Sequence, residues 1–213
     1  MEDISWTSEY EEWKDKRRKE ELTFGTWFVR EKEKAPITWK ILDKWNNNLL
    51  VISKYALESR PYHDTYEEVT WEDSDLRKWL NGDFLNTAFT EKEQAMIPTV
   101  TVWADKNPSY PFIHSGSNTE DRVFLPSIDD IIEYFDDNDL TKCIPFEYAR
   151  GKEPPCESNW WWLRTPGGYR NGAARVDGFG SIHFFGIDVD TDEGWVRPAL
   201  WIKLPDMEKQ DEN

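Results

Sequence analysis

The sequence predicts an α+β domain built mainly from antiparallel strands, and three observations predict it. The 213 residues carry thirteen Trp, eleven Phe and eight Tyr against 38% hydrophobic residues in all. Each ring buries roughly 150–250 Å² when it enters a core, so aromatic side chains anchor a core that the aliphatic content would not build alone. That load excludes disorder along the whole chain despite 32% charged residues. Strand-like stretches lie toward both ends with a block of helical spacing between them, which is the α+β order rather than an alternation of strand and helix. The last third is punctuated by glycine, as tight antiparallel turns require.

By length the chain is one domain over residues 23–204, with an N-terminal helical arm over 1–22 and a polar tail over 205–213. In the arm, Trp6, Tyr10, Trp13 and Arg17 fall at helical spacing, and Ser8 with Glu11 has the form of a capping box. Glu12 and Lys16 charge the opposite face, so the arm reads as an aromatic stripe laid on its own domain or on a partner. Thr23–Arg30 and the alternating Ile37–Trp45 read as strands. Asn46-Asn47-Asn48 marks a turn, because Asn tolerates left-handed backbone, and Leu49–Ser53 returns to close a hairpin over 37–53. Asp73 or Ser74 caps a helix with Leu76, Trp79 and Leu80 on one face and Gly82 at its end. Phe84 to Phe89 supplies a further helical turn, and Thr90 with Glu93 repeats the capping-box spacing.

Pro98, Pro108 and Pro111, with Ser115-Gly116-Ser117-Asn118, predict a long polar loop between Trp103 and Asp121. Ser127 with Asp130 caps a helix over Ile128–Phe135. Six acids and no base lie between Asp129 and Asp139, a run that reads as a solvated face. Trp160–Arg164, Ala173–Asp177, Ser181–Asp190 and Trp195–Leu204 complete the strands, and Pro205 suits a strand end.

Charge narrows the partners. Twenty-six Lys+Arg against 42 Asp+Glu leave a formal net charge of -16, which opposes a phosphate-contacting surface and is repelled by anionic membranes. Nucleic acid and membrane are therefore not expected partners. No run reaches the roughly eighteen apolar residues of a spanning helix and no signal peptide opens the chain, so a cytoplasmic location is expected. Cys143 and Cys156 are the two cysteines; reduced thiols are the expectation, and a disulfide between them stays open.

Patterns for most catalytic classes are missing. His63, His114 and His183 form no metal-binding pair, the cysteines lack C-x-x-C spacing, and neither a G-x-S-x-G elbow nor a phosphate-cradling glycine loop occurs. Asp188, Asp190 and Asp192 resemble the opening of a calcium loop, although Glu193 stands where that loop needs glycine and Ala199 where it needs glutamate. A solvated hairpin is the expected reading of those three and no cofactor is expected, with calcium on Asp188, Asp190 and Asp192 as the alternative. Recognition chemistry is better represented. Trp160, Trp161 and Trp162 put rings on both faces of a strand. Tyr169, Arg170 and Asn171 follow in a glycine-rich loop, with Asp177 and Phe179 in the next turn. Rings beside guanidinium and amide donors suit a glycan or protein ligand. The alternative is structural, with two of the three tryptophans in the core and Arg164 paired to a buried carboxylate.

Trp71-Glu72-Asp73-Ser74-Asp75-Leu76-Arg77-Lys78-Trp79-Leu80-Asn81 resembles the WE-x-S-x-LR-x-WLN box of a bacterial domain-of-unknown-function family. Trp161-Trp162-Leu163-Arg164-Thr165-Pro166-Gly167, Ala174-Arg175-Val176-Asp177-Gly178 and Val196-Arg197-Pro198-Ala199-Leu200 resemble its closing WWLRSPG…V-x-x-G…GVRPAL pattern, with Trp195 where glycine usually precedes VRPAL. Ile37–Leu42, Val51–Leu57 and Val123–Ser127 resemble further stretches, so the likeness runs from about Gly25 to Leu204. The closing half of that family is similar to the C-type-lectin-like fold, in the branch of the formylglycine-generating enzyme and variable phage receptor-binding domains. The resemblance implies a short pair of N- and C-terminal strands, two or more helices, long irregular loops and a twisted antiparallel sheet carrying the WWLR strand. It implies framework roles for Trp71, Arg77, Trp79, Trp162, Arg164, Arg175 and Arg197. The copper-binding cysteine pair and the histidine cluster of that branch's enzymes have no counterpart in this sequence.

Three functional expectations follow. The first is a non-catalytic binding or interaction module for a glycan or protein, with Trp160 or Trp161, Tyr169, Arg170, Asn171, Asp177 and Phe179 at the ligand. The second is a metal- or cysteine-dependent enzyme of the formylglycine-generating-enzyme-like branch. The third is an acidic inhibitor or mimic that captures a basic partner through Asp129, Asp130, Asp136 and Asp137.

Overall fold

Alternation of buried and exposed residues builds the first sheet. β1 (Glu21–Arg30) turns Trp27 and Val29 inward, and β2 (Glu33–Trp45) does the same with Ala35, Ile37, Trp39 and Leu42. β2 passes through Asn46, at φ 53°, into β3 (Asn48–Ser53), so the hairpin expected over 37–53 is present with a longer first arm. β3 is buried along most of its length because β12 (Ala199–Lys203) covers its outer edge, with β7 (Val123–Phe124) beyond. The order is β1-β2-β3-β12-β7. This is a computed structural model, and it describes residues 20–30, 32–135, 142, 146 and 159–205. The expected arm up to residue 19, Cys143, Cys156, Asp136 and Asp137, and the tail beyond Pro205 lie outside the described residues.

A second sheet runs β10-β9-β8-β11-β4. β8 (Trp161–Pro166) sits at its centre with all six residues buried. β9 (Gly172–Val176) pairs with it antiparallel and β11 (Trp195–Val196) parallel, while β10 (Ile182–Asp188) and β4 (Glu58–Ser59) form the edges. β5 (Val100–Val102) and β6 (Thr119–Asp121) make a separate two-stranded ribbon. The molecule is thus α+β and sheet-rich, with two five-stranded sheets among the described residues where the sequence reading has one.

Three further expectations are corrected. The stretch Trp195–Leu204 is not one strand: it breaks at Arg197-Pro198 and crosses from the second sheet to the first. The break is held by Arg197, 1% exposed, whose Nε donates to the Ser53 carbonyl at 2.7 Å and whose guanidinium lies 5.2 Å from the Trp161 ring centre. Pro198 has no N–H to extend a ladder, and its carbonyl accepts from Ser53 N at 2.9 Å. The N- and C-terminal strands do not pair, since β12 lies between β3 and β7 and β1 pairs with β2. Finally, Gly82 does not end the helix. α1 (Asp75–Trp79), capped by Ser74 Oγ accepting from Arg77 N, continues through a π-helical turn at Leu80–Phe84 into α2 (Leu85–Ala88). Burial of Leu80, Phe84, Leu85 and Ala88 carries the helix onward, and the wider turn rephases its apolar face.

Of the three capping boxes expected, the two within the described residues are present. Thr90 and Glu93 open α3 (Glu91–Gln94), and Ser127 and Asp130 open α4 (Ile128–Tyr134). No helix among the described residues is long and apolar enough to cross a membrane. Trp27, Trp39, Trp71, Trp160, Trp161 and Trp162 are all buried, so tryptophan anchors a core that Leu, Ile, Val, Ala and Phe complete.

Candidate functional site

Two arginine-centred networks fix the framework around the site. Asp121, 1% exposed, accepts from Trp71 Nε1 at 2.9 Å, Arg77 Nε at 2.7 Å and Thr119 Oγ1 at 2.6 Å. Asn81 adds a longer bond to the same carboxylate and accepts with its own Oδ1 from Arg122 N and Val123 N. Trp71, Arg77 and Asn81 thus converge on one buried charge, satisfied by the several donors it needs. Trp79 packs half-buried against Trp27 and Phe84 under the Arg60 guanidinium. Arg164, 6% exposed, donates to Asp105 at 2.6 Å, to Asp130, and to the carbonyls of Leu125 and Trp103.

Against this framework three loops meet beside the second sheet. Asn107, fully buried, donates from Nδ2 to the carbonyls of Pro166 (2.8 Å) and Phe184 (2.7 Å), which clamps the proline-rich 103–118 segment across β8 and β10. Phe185 then packs between Tyr110 (5.8 Å) and Tyr169 (5.0 Å), over Gly168, where a Cβ would come within 2.6 Å of the Phe185 ring. The Tyr169 hydroxyl donates to Asp188 Oδ1 at 2.7 Å. Burial, then this bond to a carboxylate, pushes its pKa up, so it stays a neutral donor. The third loop, residues 63–70, is tied in by Val69 N donating to the Arg170 carbonyl and His63 N to the Val189 carbonyl. His63 lies between two carboxylates, with Nε2 2.8 Å from Glu67 Oε1 and Nδ1 2.7 Å from Asp75 Oδ2. The His63 contact, then Thr65, lowers the Glu67 carboxyl, and Lys78 is the chief group lowering Asp75.

Between these loops opens a cleft of about 460 Å³, inside the range of small-ligand sites. Glu68, Glu72, Asp73, Thr70, His114 and Arg170 give it its polar lining. Glu72 Oε2 accepts from Ser117 N at 3.0 Å, and His114 Nδ1 accepts from Gly116 N at 3.1 Å, which makes the other ring nitrogen a donor in the neutral tautomer. Arg170 pairs with Glu68 at 3.1 Å, the two side chains being 68% and 65% exposed. Its remaining donors have no protein partner among the described residues, so the fork faces solvent in a cleft whose walls are fixed.

Of the residues expected at a ligand, Arg170 lines this cleft and Tyr169 supports it from the aromatic cluster. The backbone of Asn171 accepts from Val189 N. Asp177 and Phe179 lie apart, at the β9–β10 turn, where Asp177 accepts from Phe179 N and Ser181 N and pairs with His183. Trp160 and Trp161 are corrected: at 5% and 0% exposure they are core residues, Trp161 on the central strand β8 and Trp160 immediately before it. Trp160 meets Trp162 edge-on at 4.7 Å and lies under Arg175, and Trp162 Nε1 donates to the Arg60 carbonyl. The calcium alternative at Asp188, Asp190 and Asp192 finds no support in the geometry. Asp188 is engaged by Tyr169, and no three acidic, His or Cys side chains among the described residues are grouped to hold a metal. Glu68 and His114 escape sequence reasoning as cleft residues, since nothing local distinguishes them from other surface polar residues, and Glu72 and Asp73 stand out only as part of the Trp71–Asn81 box.

The model of a family described as a domain of unknown function (DUF6273) matches residues 46–204, more than half of the chain. The chain belongs to that family. The DUF6273 span holds the Asp121 network, the whole second sheet and every residue of the cleft, while β1 and β2 precede it. Ile37–Leu42, quoted for the resemblance, therefore lies outside the matched span. No curated protein and no solved structure matches the chain.

Proposed function

We propose that this DUF6273 domain is a non-catalytic binding module of C-type-lectin-like type, and that a glycan or a protein segment sits in the cleft beside Arg170. The observation that carries the reading is the exposed Arg170–Glu68 pair on a loop whose surroundings are held rigid. Asn107, the Tyr110–Phe185–Tyr169 cluster and the Val69–Arg170 bond order the cleft before any ligand arrives, which reduces the entropy lost on binding. Its chemistry is mixed: carboxylates accept, while the guanidinium, the Thr70 hydroxyl and the His114 ring donate. Sugar hydroxyls and peptide groups do both, and match such a lining; a phosphate backbone would face three carboxylates.

Glycan and peptide arrays probed with the purified protein test the proposal. Selective capture is expected, lost on Arg170→Ala without a change in thermal stability. No selective capture, or capture indifferent to that substitution, overturns it.

A further inference from the structure

A second cavity, of about 420 Å³, opens between β5, β12 and α4. Its apolar lining is mostly aromatic: Trp103 at the end of β5, Tyr134 on α4, Trp201 on β12, and Phe124. Asp105, Asp129, Asp130 and Glu133 also line it, and Arg164 is the one cation that does. Arg164 is already engaged by Asp105, Asp130 and two carbonyls. Asp129 has no ion-pair partner among the described residues. With four carboxylates and one guanidinium in its lining, the cavity concentrates more negative charge than its own cation neutralises. Partial desolvation, then the charges of Asp105 and Asp130, pushes the largely exposed Asp129 carboxyl up. Trp103 stands at this cavity with 64% of its surface exposed, a large ring left to solvent beside unbalanced carboxylates.

We propose that this cavity binds the cationic end of a lysine or arginine side chain presented by a protein partner. Aromatic faces attract an organic cation, worth about 0.5–1 kcal/mol at exposed sites and about 2 kcal/mol or more when desolvated. The carboxylates supply the counter-charge, and the cavity is wide enough to take the side-chain stem along its rings. A bare metal ion fits less well, because these carboxylates are not grouped as ligands. The net charge of -16 steers a basic partner toward the surface. The cavity shares no residue with the Arg170 cleft, so the two sites stand or fall separately.

Calorimetric titration of the full chain with hexapeptides containing lysine or arginine, with their acetyl-lysine and citrulline counterparts, and with spermidine tests this. The cationic peptides are expected to bind saturably and more weakly as salt rises. The neutral counterparts are expected to bind at least about tenfold more weakly, a difference of about 1.4 kcal/mol. Trp103→Ala is expected to weaken the cationic peptides about tenfold and Asp129→Asn about threefold, with unchanged circular dichroism and melting. Both replaced side chains are exposed, and Trp103 serves Arg164 through its backbone carbonyl alone. Arg170→Ala is expected to leave this binding intact. Failure of the cationic peptides to bind, equal binding of the neutral ones, or indifference to both cavity substitutions overturns the proposal. Spermidine binding without peptide binding overturns the assignment to a protein side chain.

Discussion

Arg77–Asp121 and Arg170–Glu68 are the same chemical pair in opposite settings. In the first the carboxylate is fully buried and the arginine about three-quarters so, and Trp71 and Thr119 complete the shell of donors. In the second both side chains are about two-thirds exposed and hold each other alone at the edge of a cleft. Removing one member of a buried pair strands a charge and costs about 3–5 kcal/mol, whereas an exposed pair contributes about 0–1 kcal/mol. Guanidinium chemistry is therefore common to both jobs, and its surroundings decide whether it holds the fold or stays available to a ligand.

The largest expected effect lies on the buried side. Asp121→Ala strands Arg77, the Trp71 indole N–H and the Thr119 hydroxyl, and denaturant titration is expected to show a loss of about 3–5 kcal/mol. A loss below about 1 kcal/mol would erase the contrast. Next comes the bulge behind the aromatic cluster. Gly186 has φ +75°, and a Cβ there would collide with the Ala173 carbonyl, so Gly186→Ala is expected to cost about 1–3 kcal/mol and to loosen the Phe185 packing that supports Tyr169. Indifference of both melting and ligand capture would show that this support is dispensable.

Asp177 gives a pH test on an intermediate scale. Burial alone would raise its carboxyl, but the Ser181 amide, His183 and the Phe179 amide outweigh burial and hold it below the usual carboxylate range. The folded state then binds fewer protons than the unfolded chain in acid, so this stability is present above the ordinary carboxylate range and is lost as pH falls through the folded carboxyl's own range. Melting followed downward from pH 6 is expected to decline less steeply in Asp177→Asn than in the parent; parallel curves would rule this contribution out. The smallest stability effect belongs to Arg170→Ala, expected within about 0.5 kcal/mol of the parent.

Local chemistry is what the sequence made legible. The boxes at Thr90–Glu93 and Ser127–Asp130 and the turn at Asn46 are decided by bonds and backbone preferences within a few residues, and all are present. Gly82 misleads because burial of Leu80, Phe84 and Leu85 on the same helix outweighs a local stop signal. The split of Trp195–Leu204 depends on where the Arg197 guanidinium goes, toward Ser53, 144 positions earlier. β8 is legible as a strand with rings on both faces, yet whether those rings meet ligand or core depends on what covers each face, and nothing local encodes that. The cleft follows the same rule. Arg170 stands out in its glycine-rich loop, but its partner Glu68 is 102 positions away, and Glu72 meets Ser117 across 45.

The most direct measurement pairs ligand capture with melting on the same Arg170→Ala protein. An exposed arginine held ready for ligand predicts an unchanged melting temperature together with loss of the glycan or peptide captured by the parent. Retained capture, or a melting temperature that falls as it does for Asp121→Ala, would contradict it.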